Sequence, residues 1–196
     1  INEMIVKLVK EGHIVGRVKG GDPYVFGRGG EEVIALEKEK LKFEVIPGIT
    51  SPIAVLNYAG IPVTHRGIAQ SFHIGTGMTG TNEKINWKAL AQEKGTLVFM
   101  MGLENIERIV ANLIDNKKHV KTPAAVVMRG TSSKQRKVIG NLENIIQKVR
   151  EANLKSPCII VIGDVVNLNK ELSWYEEKPL FGTNICITRS REQSSE

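Results

Sequence analysis

Short apolar runs alternate with stretches of helical period along almost the whole chain, and glycine or proline marks most of the changes. Runs such as Thr96–Met101, Ala124–Met128 and Cys158–Ile162 are continuously apolar rather than alternating with polar residues. Such short apolar runs alternating with amphipathic stretches are the mark of α/β architecture. The expected fold class is α/β.

The N-terminal half reads as follows. Asn2 to Glu11 places Met4, Ile5, Leu8 and Val9 on one helical face, and Gly12 stops it. Ile14 to Val18 is expected as a strand running into a glycine-rich loop. Glu31 to Lys40 is a helix with acidic residues in its first turn, where the helix dipole favours them. Phe43 to Ile46 is a second strand, ending in Pro47-Gly48. Thr50-Ser51-Pro52 caps a helix that Gly60 closes, and Ile61 to Gly67 reads as a linker.

The alternation then restarts, with a junction near Gly67 to Ser71. Strands are expected at Phe72–Gly75, Thr96–Met101, Ala124–Met128 and Cys158–Ile162, with a polar loop after the first. Glu104 to Asn116 is a helix, and Asn141 is expected to cap another that bears Leu142, Ile145, Ile146 and Val149. Ile185 to Thr188 opens a fresh strand near the end. These readings divide the chain into an α/β lobe at 1–69, a second α/β lobe at 70–179, and the start of a further domain at 180–196. A chain that opens on a helix without an initiator methionine is expected to be an internal slice of a longer protein, with its N-terminal lobe truncated.

Composition narrows the function. The net charge is +6, but the basic residues are scattered and aromatics are only 5%. An RNA-binding face would interleave the two, so no nucleic-acid partner is expected. No apolar stretch approaches the roughly 20 residues of a membrane span, and the expected location is cytoplasmic. The two cysteines, Cys158 and Cys186, lie in apolar runs without metal-ligand spacing, so neither a disulfide framework nor a bound metal is expected.

The densest chemical signal is Lys19-Gly20-Gly21-Asp22-Pro23-Tyr24-Val25-Phe26-Gly27-Arg28-Gly29-Gly30-Glu31-Glu32. Glycines after a strand let main chain approach a ligand closely. The stretch lacks the Gly-Lys-Ser/Thr ending of a Walker loop. Glu31 and Glu32 occupy the helix start where a pyrophosphate would sit, and they would repel it. A nucleoside without phosphate fits better.

Several motifs in register now carry a family resemblance. They are Val15 to Glu32, Val45-Ile46-Pro47-Gly48-Ile49-Thr50-Ser51, Ala59 to Gly67, Thr96 to Gly102, Arg129-Gly130-Thr131-Ser132-Ser133-Lys134-Gln135-Arg136, and Ser156-Pro157. Together they resemble the tetrapyrrole methylases, and within them the uroporphyrinogen-III C-methyltransferases. The resemblance spans about Glu11 to Trp174. It implies a two-lobed α/β tetrapyrrole methylase fold, the class III methyltransferase fold, with S-adenosyl-L-methionine in the cleft between lobes. Carried over by position, Gly20, Gly21 and Asp22 line the methionine end of the cofactor, with Val25 nearby. Thr50 and Ser51 offer hydroxyl and amide contacts, Met101 and Gly130 approach the nucleoside, and Pro157 and Cys158 offer backbone contacts.

The implied substrate, uroporphyrinogen III, carries eight carboxylates, and a planar guanidinium suits a carboxylate. Arg28 and Arg66 stand where the family contacts substrate. Glu31 would hydrogen-bond a pyrrole N–H or hold an arginine. Lys134 and Arg136 would extend a basic rim, and His65 would orient the linker.

The implied reaction is attack of an electron-rich pyrrole carbon on the sulfonium methyl group, giving precorrin-2 for siroheme or cobalamin. No catalytic acid or base is assigned, because the family's N-terminal segment has no counterpart here, and the slice alone is expected to bind cofactor poorly. The natural-length protein is expected to be a homodimer. Leu180 to Arg191 resembles the start of uroporphyrinogen-III synthase, the enzyme that makes the same substrate. Two alternatives stand beside this reading: another precorrin methylase, favoured less by Thr64-His65-Arg66-Gly67 and Gln135-Arg136, and a nucleoside-binding module without turnover.

Overall fold

A computed structural model describes residues 1–78, 85–186 and 188. They form two compact units, Ile1–Ala54 and Val55–Glu196.

In the first unit, α1 (Asn2–Lys10) and α2 (Gly29–Lys38) are regular helices. The helix α2 starts two residues before the acidic turn that the sequence suggested. It also ends earlier than Lys40, because Lys40 takes φ +55° and the Leu41 N–H returns to the Leu36 carbonyl, a left-handed helix stop. Ile14 to Val18 and Phe43 to Ile46 are not strands. No strand among the described residues pairs with either, and a strand is defined by its partner. Ile14, Val18 and Ile46 are largely exposed as a result.

A third helix, α3 (Ser51–Tyr58), starts as expected, with the Thr50 carbonyl accepting from Ile53 and Ala54 N–H. Gly60 closes it at φ +70°.

The second unit is built on a five-stranded sheet. Its strands are β1 (Phe72–Thr76), β2 (Thr96–Met100), β3 (Pro123–Met128), β4 (Arg136–Asn141) and β5 (Cys158–Ile162), in the order β1-β2-β5-β3-β4. Only the β1–β2 pair is parallel; the other three pairings are antiparallel. The continuous apolar runs are explained by cover on both faces. Leu97, Phe99, Val126, Ile160 and Ile162 face α5 (Ile106–Asp115) and α6 (Ile145–Glu151), while Val98, Ala125, Val127 and Val161 face Val55, Leu56 and Ala59 of α3. Ile61 and Ala69 also pack on this second face.

Besides the short 3-10 helix Asp164–Leu168, three elements carry no clear signal in the sequence. These are β4, α4 (Trp87–Gln92) and the short α7 (Asn169–Leu172). Asn141 ends β4 and does not cap α6. Its Oδ1 accepts from the Glu143 and Asn144 N–H groups in a turn, and the helix begins only at Ile145. Leu142 is buried in the core from that turn. The strand expected at Ile185–Thr188 falls partly outside the described residues, and Ile185, Cys186 and Thr188 lie in no strand. No helix among the described residues is long and apolar enough to cross a membrane.

Candidate functional site

The glycine loop of the first unit is a fixed structure. Asp22 holds it: its Oδ1 accepts from Tyr24 N–H at 2.9 Å, and its Oδ2 accepts from Gly48 N–H at 3.2 Å. The second bond fastens the Gly20-Gly21 turn to the Pro47-Gly48 turn that precedes α3. The two turns touch so closely that a Cβ on Gly48 would stand 2.7 Å from the Gly21 carbonyl oxygen. Gly21 itself has φ +120°, a conformation that side chains rarely adopt. Gly20 differs: a Cβ there would enter open space, so packing does not require glycine at that position. Val25 continues the same turn, its N–H reaching the Asp22 carbonyl at 3.4 Å. Thr50 and Ser51 follow directly at the start of α3, in the segment that Asp22 anchors.

Beside this loop stand three ion pairs, one on Glu31 and two on Glu32. Arg28 and Glu31 form a forked pair, with Nε to Oε1 at 3.0 Å and an Nη to Oε2 at 2.7 Å. Arg28 sits at φ +57° just before α2, and that turn brings its guanidinium round to the first helical turn. The hydrogen bond from Arg28 lowers the Glu31 carboxyl below its ordinary range, and the same bond raises the guanidinium. Both groups are open to solvent, so the pair is presented and not buried. Glu32 is more enclosed and takes Lys19 at 2.9 Å and Arg17 at 3.0 Å. The bond from Lys19, then that from Arg17, holds its carboxyl below the usual range against the opposing effect of burial. Both glutamates at the helix start are thus ionised.

In the second unit the sheet register gathers the remaining positions. Met100 pairs with Ile159, and Met128 pairs with Cys158. Met101, Gly130 and Cys158 therefore lie at the same end of three neighbouring strands, where β2 and β3 end and β5 begins. Met101 is 47% exposed and turns outward at φ +51°. Gly130 lies against Val55 of α3, and a Cβ would overlap both Val55 methyl groups. The Arg129 N–H donates to the Pro157 carbonyl at 3.1 Å, joining two of the loops. Cys158 is buried, and burial pushes its thiol up to about 11. It is a neutral packing group there, not a nucleophile.

Arg66 is exposed in a tight turn closed by His65, whose N–H donates to the Ala69 carbonyl at 2.9 Å. Lys134 and Arg136 line an open groove of about 560 Å³ with Arg129, Lys155 and Phe181. Sequence reasoning missed the support behind Gly130. Gln135 is 2% exposed and bonds to Thr131, Tyr58 and Glu176. Its position inside a motif was visible, but a partner 41 residues away was not.

With this geometry in view, residues 1–146 match the tetrapyrrole (corrin/porphyrin) methylases, and the chain belongs to that family. It is 47% identical over 170 residues to the uroporphyrinogen-III C-methyltransferase of Methanocaldococcus jannaschii, a stretch that covers 86% of this chain and 70% of that protein. It is 43% identical over 196 residues to the porphyrin biosynthesis protein HemD of Ruminiclostridium josui, covering 99% of this chain but 39% of that protein. The crystal structure of uroporphyrin-III C-methyl transferase from Thermus thermophilus, complexed with S-adenyl homocysteine, is similar with a TM-score of 0.74. That match has 32% identity and covers 85% of this chain and 70% of that one. The fold is thus the α/β tetrapyrrole methylase fold. The chain spans about two fifths of the length of the Ruminiclostridium relative.

Proposed function

We propose that the protein carrying this chain methylates ring carbons of uroporphyrinogen III, using S-adenosyl-L-methionine, to give precorrin-2. The observation that carries the reading is the Asp22 anchor, which sets Gly20, a glycine that packing does not require, in an open and fixed main-chain loop. A phosphate-free nucleoside fits two ionised glutamates at the start of α2 better than a nucleotide would.

On this reading the candidate cofactor-binding positions of the first unit are Gly20, Gly21, Asp22, Val25, Thr50 and Ser51, and those of the second unit, taken by itself, are Met101, Gly130 and Cys158. Bound S-adenosyl-L-methionine supplies an electrophilic methyl group. The chain's own contribution is to align the reactants and exclude water. Arg28 and Arg66 receive substrate carboxylates. Glu31 has two roles in reach, since it fixes the Arg28 fork and its free lone pairs can accept a pyrrole N–H. The relatives' names support the substrate: the Methanocaldococcus protein is called a uroporphyrinogen-III C-methyltransferase.

Further parts of the reading concern the whole protein. We place lobe bounds at 1–69 and 70–179, with 180–196 opening a synthase-like domain. We also propose a cytoplasmic homodimer without nucleic-acid or membrane partners, feeding siroheme or cobalamin synthesis. The test is turnover with methyl-labelled cofactor. Two labelled methyl groups per uroporphyrinogen III macrocycle are expected, and label entering only later precorrins would replace this reading with another precorrin methylase.

A further inference from the structure

Thr131 has a backbone φ of +70°, a left-handed conformation that a β-branched residue adopts only under strain. Side chains hold both of its main-chain polar groups. Its N–H donates to Gln135 Oε1 at 2.8 Å, and its carbonyl accepts from the Tyr175 hydroxyl at 3.1 Å. Both Nε2 hydrogens of Gln135 are used as well. Its Nε2 donates to the Tyr58 carbonyl at 3.2 Å and to Glu176 Oε1 at 2.9 Å. The other Glu176 oxygen pairs with Lys137 at 3.0 Å, and Lys137 donates to Ser173 Oγ at 3.0 Å. The Tyr175 ring is itself held by Tyr58 and Phe181, with centroids 4.7 and 5.3 Å away.

A buried amide with its oxygen engaged and both its N–H groups used favours one arrangement, since moving it leaves polar groups unpaired. The arrangement fixed here is the turn that carries Gly130. The segment from Ser173 to Phe181, well beyond the last strand, reaches back to make it.

We propose that Gln135 and Tyr175 are positioning residues that keep the Arg129-Gly130-Thr131 turn in its strained form, so that the Gly130 main chain meets the nucleoside already shaped. This rests on the reading that Gly130 contacts the cofactor. A turn free to relax would have to be re-ordered by the ligand, and affinity would fall by that amount. Thr131 carries the β-branched share of the strain, beside Arg129 at φ +47°, so replacing Thr131 by glycine lessens the need for the clamp.

The test is a double-mutant cycle on the protein at its natural length, read by calorimetric titration with S-adenosylhomocysteine. Tyr175→Phe removes one hydroxyl and keeps the ring packing. It is expected to weaken binding about fivefold, the scale of one net hydrogen bond, and to raise KM for the cofactor while kcat at saturation holds. In the Thr131→Gly background the same change is expected to alter binding by less than about twofold. Unchanged affinity in Tyr175→Phe, or an equal loss in both backgrounds, overturns the proposal. If the unaltered protein does not bind S-adenosylhomocysteine, the functional reading falls, and this inference with it. Binding by the unaltered protein without the cycle's coupling removes the clamp alone.

Discussion

The Asp22 carboxylate and the Gly48 main-chain N–H are joined at 3.2 Å, and through this bond two turns 26 residues apart become one platform. The other carboxylate oxygen is occupied by Tyr24, so Asp22 has a structural duty on each oxygen. Its place in the glycine motif is explained by the loop it builds, before any ligand is considered.

Asp22→Ala leaves the N–H groups of Tyr24 and Gly48 without their acceptor. The expected loss is about 1–3 kcal/mol, seen as a Tm lower by roughly 3–8 °C, together with weaker S-adenosylhomocysteine binding. Asp22→Asn keeps one carbonyl acceptor and is expected to lie between the two. Thermal unfolding followed by circular dichroism checks the order, and an Asp22→Ala protein with unchanged Tm would show that the two bonds do not hold the loop.

Arg28 and Glu31 behave differently because they are exposed. An ion pair in open solvent adds little to stability, so Arg28→Ala is expected to leave Tm within about 2 °C. Turnover on uroporphyrinogen III is expected to drop at least about a hundredfold in kcat/KM if the guanidinium receives a substrate carboxylate. Steady-state kinetics decide it. A stability loss matching the activity loss would make the pair structural.

The Glu32 carboxyl lies below its ordinary value because Lys19, then Arg17, donates to it. For a carboxyl lowered in the folded state, the stabilisation is fully present above the unfolded pKa, about 4.3. It is lost as pH falls through the lower folded value. Urea unfolding between about pH 2.5 and 6 is expected to show a shallower acid slope for Glu32→Gln than for the unaltered protein. Superimposable slopes would remove Glu32 from the acid transition.

Gly130→Ala places a methyl against both Val55 methyl groups. The expected cost is about 1–3 kcal/mol, and shortening the neighbour in a Gly130→Ala, Val55→Ala protein should recover part of it. Denaturant midpoints report the coupling. Additive losses would mean that the contact is not the reason glycine stands there.

Cys158 and Cys186 should separate cleanly under a thiol reagent. Burial raises the Cys158 thiol to about 11 and its sulfur bonds the Lys155 carbonyl at 3.1 Å, while Cys186 is exposed. One thiol is expected to react in the folded protein and two after unfolding. Rapid native labelling of Cys158 would contradict its description as a packing group.

How legible all this was depended on whether the deciding interaction was local. The central strands β2, β3 and β5 stood out because cover on both faces writes a continuous apolar run. The edge strand β4, Arg-Lys-Val-Ile-Gly-Asn, did not, because it pairs only with β3 and keeps polar residues. Val15 and Val45 lie in runs that read as strands by composition, yet pairing is a long-range property that composition does not carry. The glycine loop was visible because its chemistry is contiguous. The grip on Thr131 was not, since Gln135, Tyr175 and Glu176 converge only after the sheet has formed.

The central claim is that these glycine-bearing turns bind a phosphate-free sulfonium nucleoside. Equilibrium dialysis of the natural-length protein against S-adenosyl-L-methionine, ATP and NAD tests it most directly. The account predicts stoichiometric retention of S-adenosyl-L-methionine with ATP and NAD left behind, and retention of either phosphate-bearing ligand in preference to it would contradict the account.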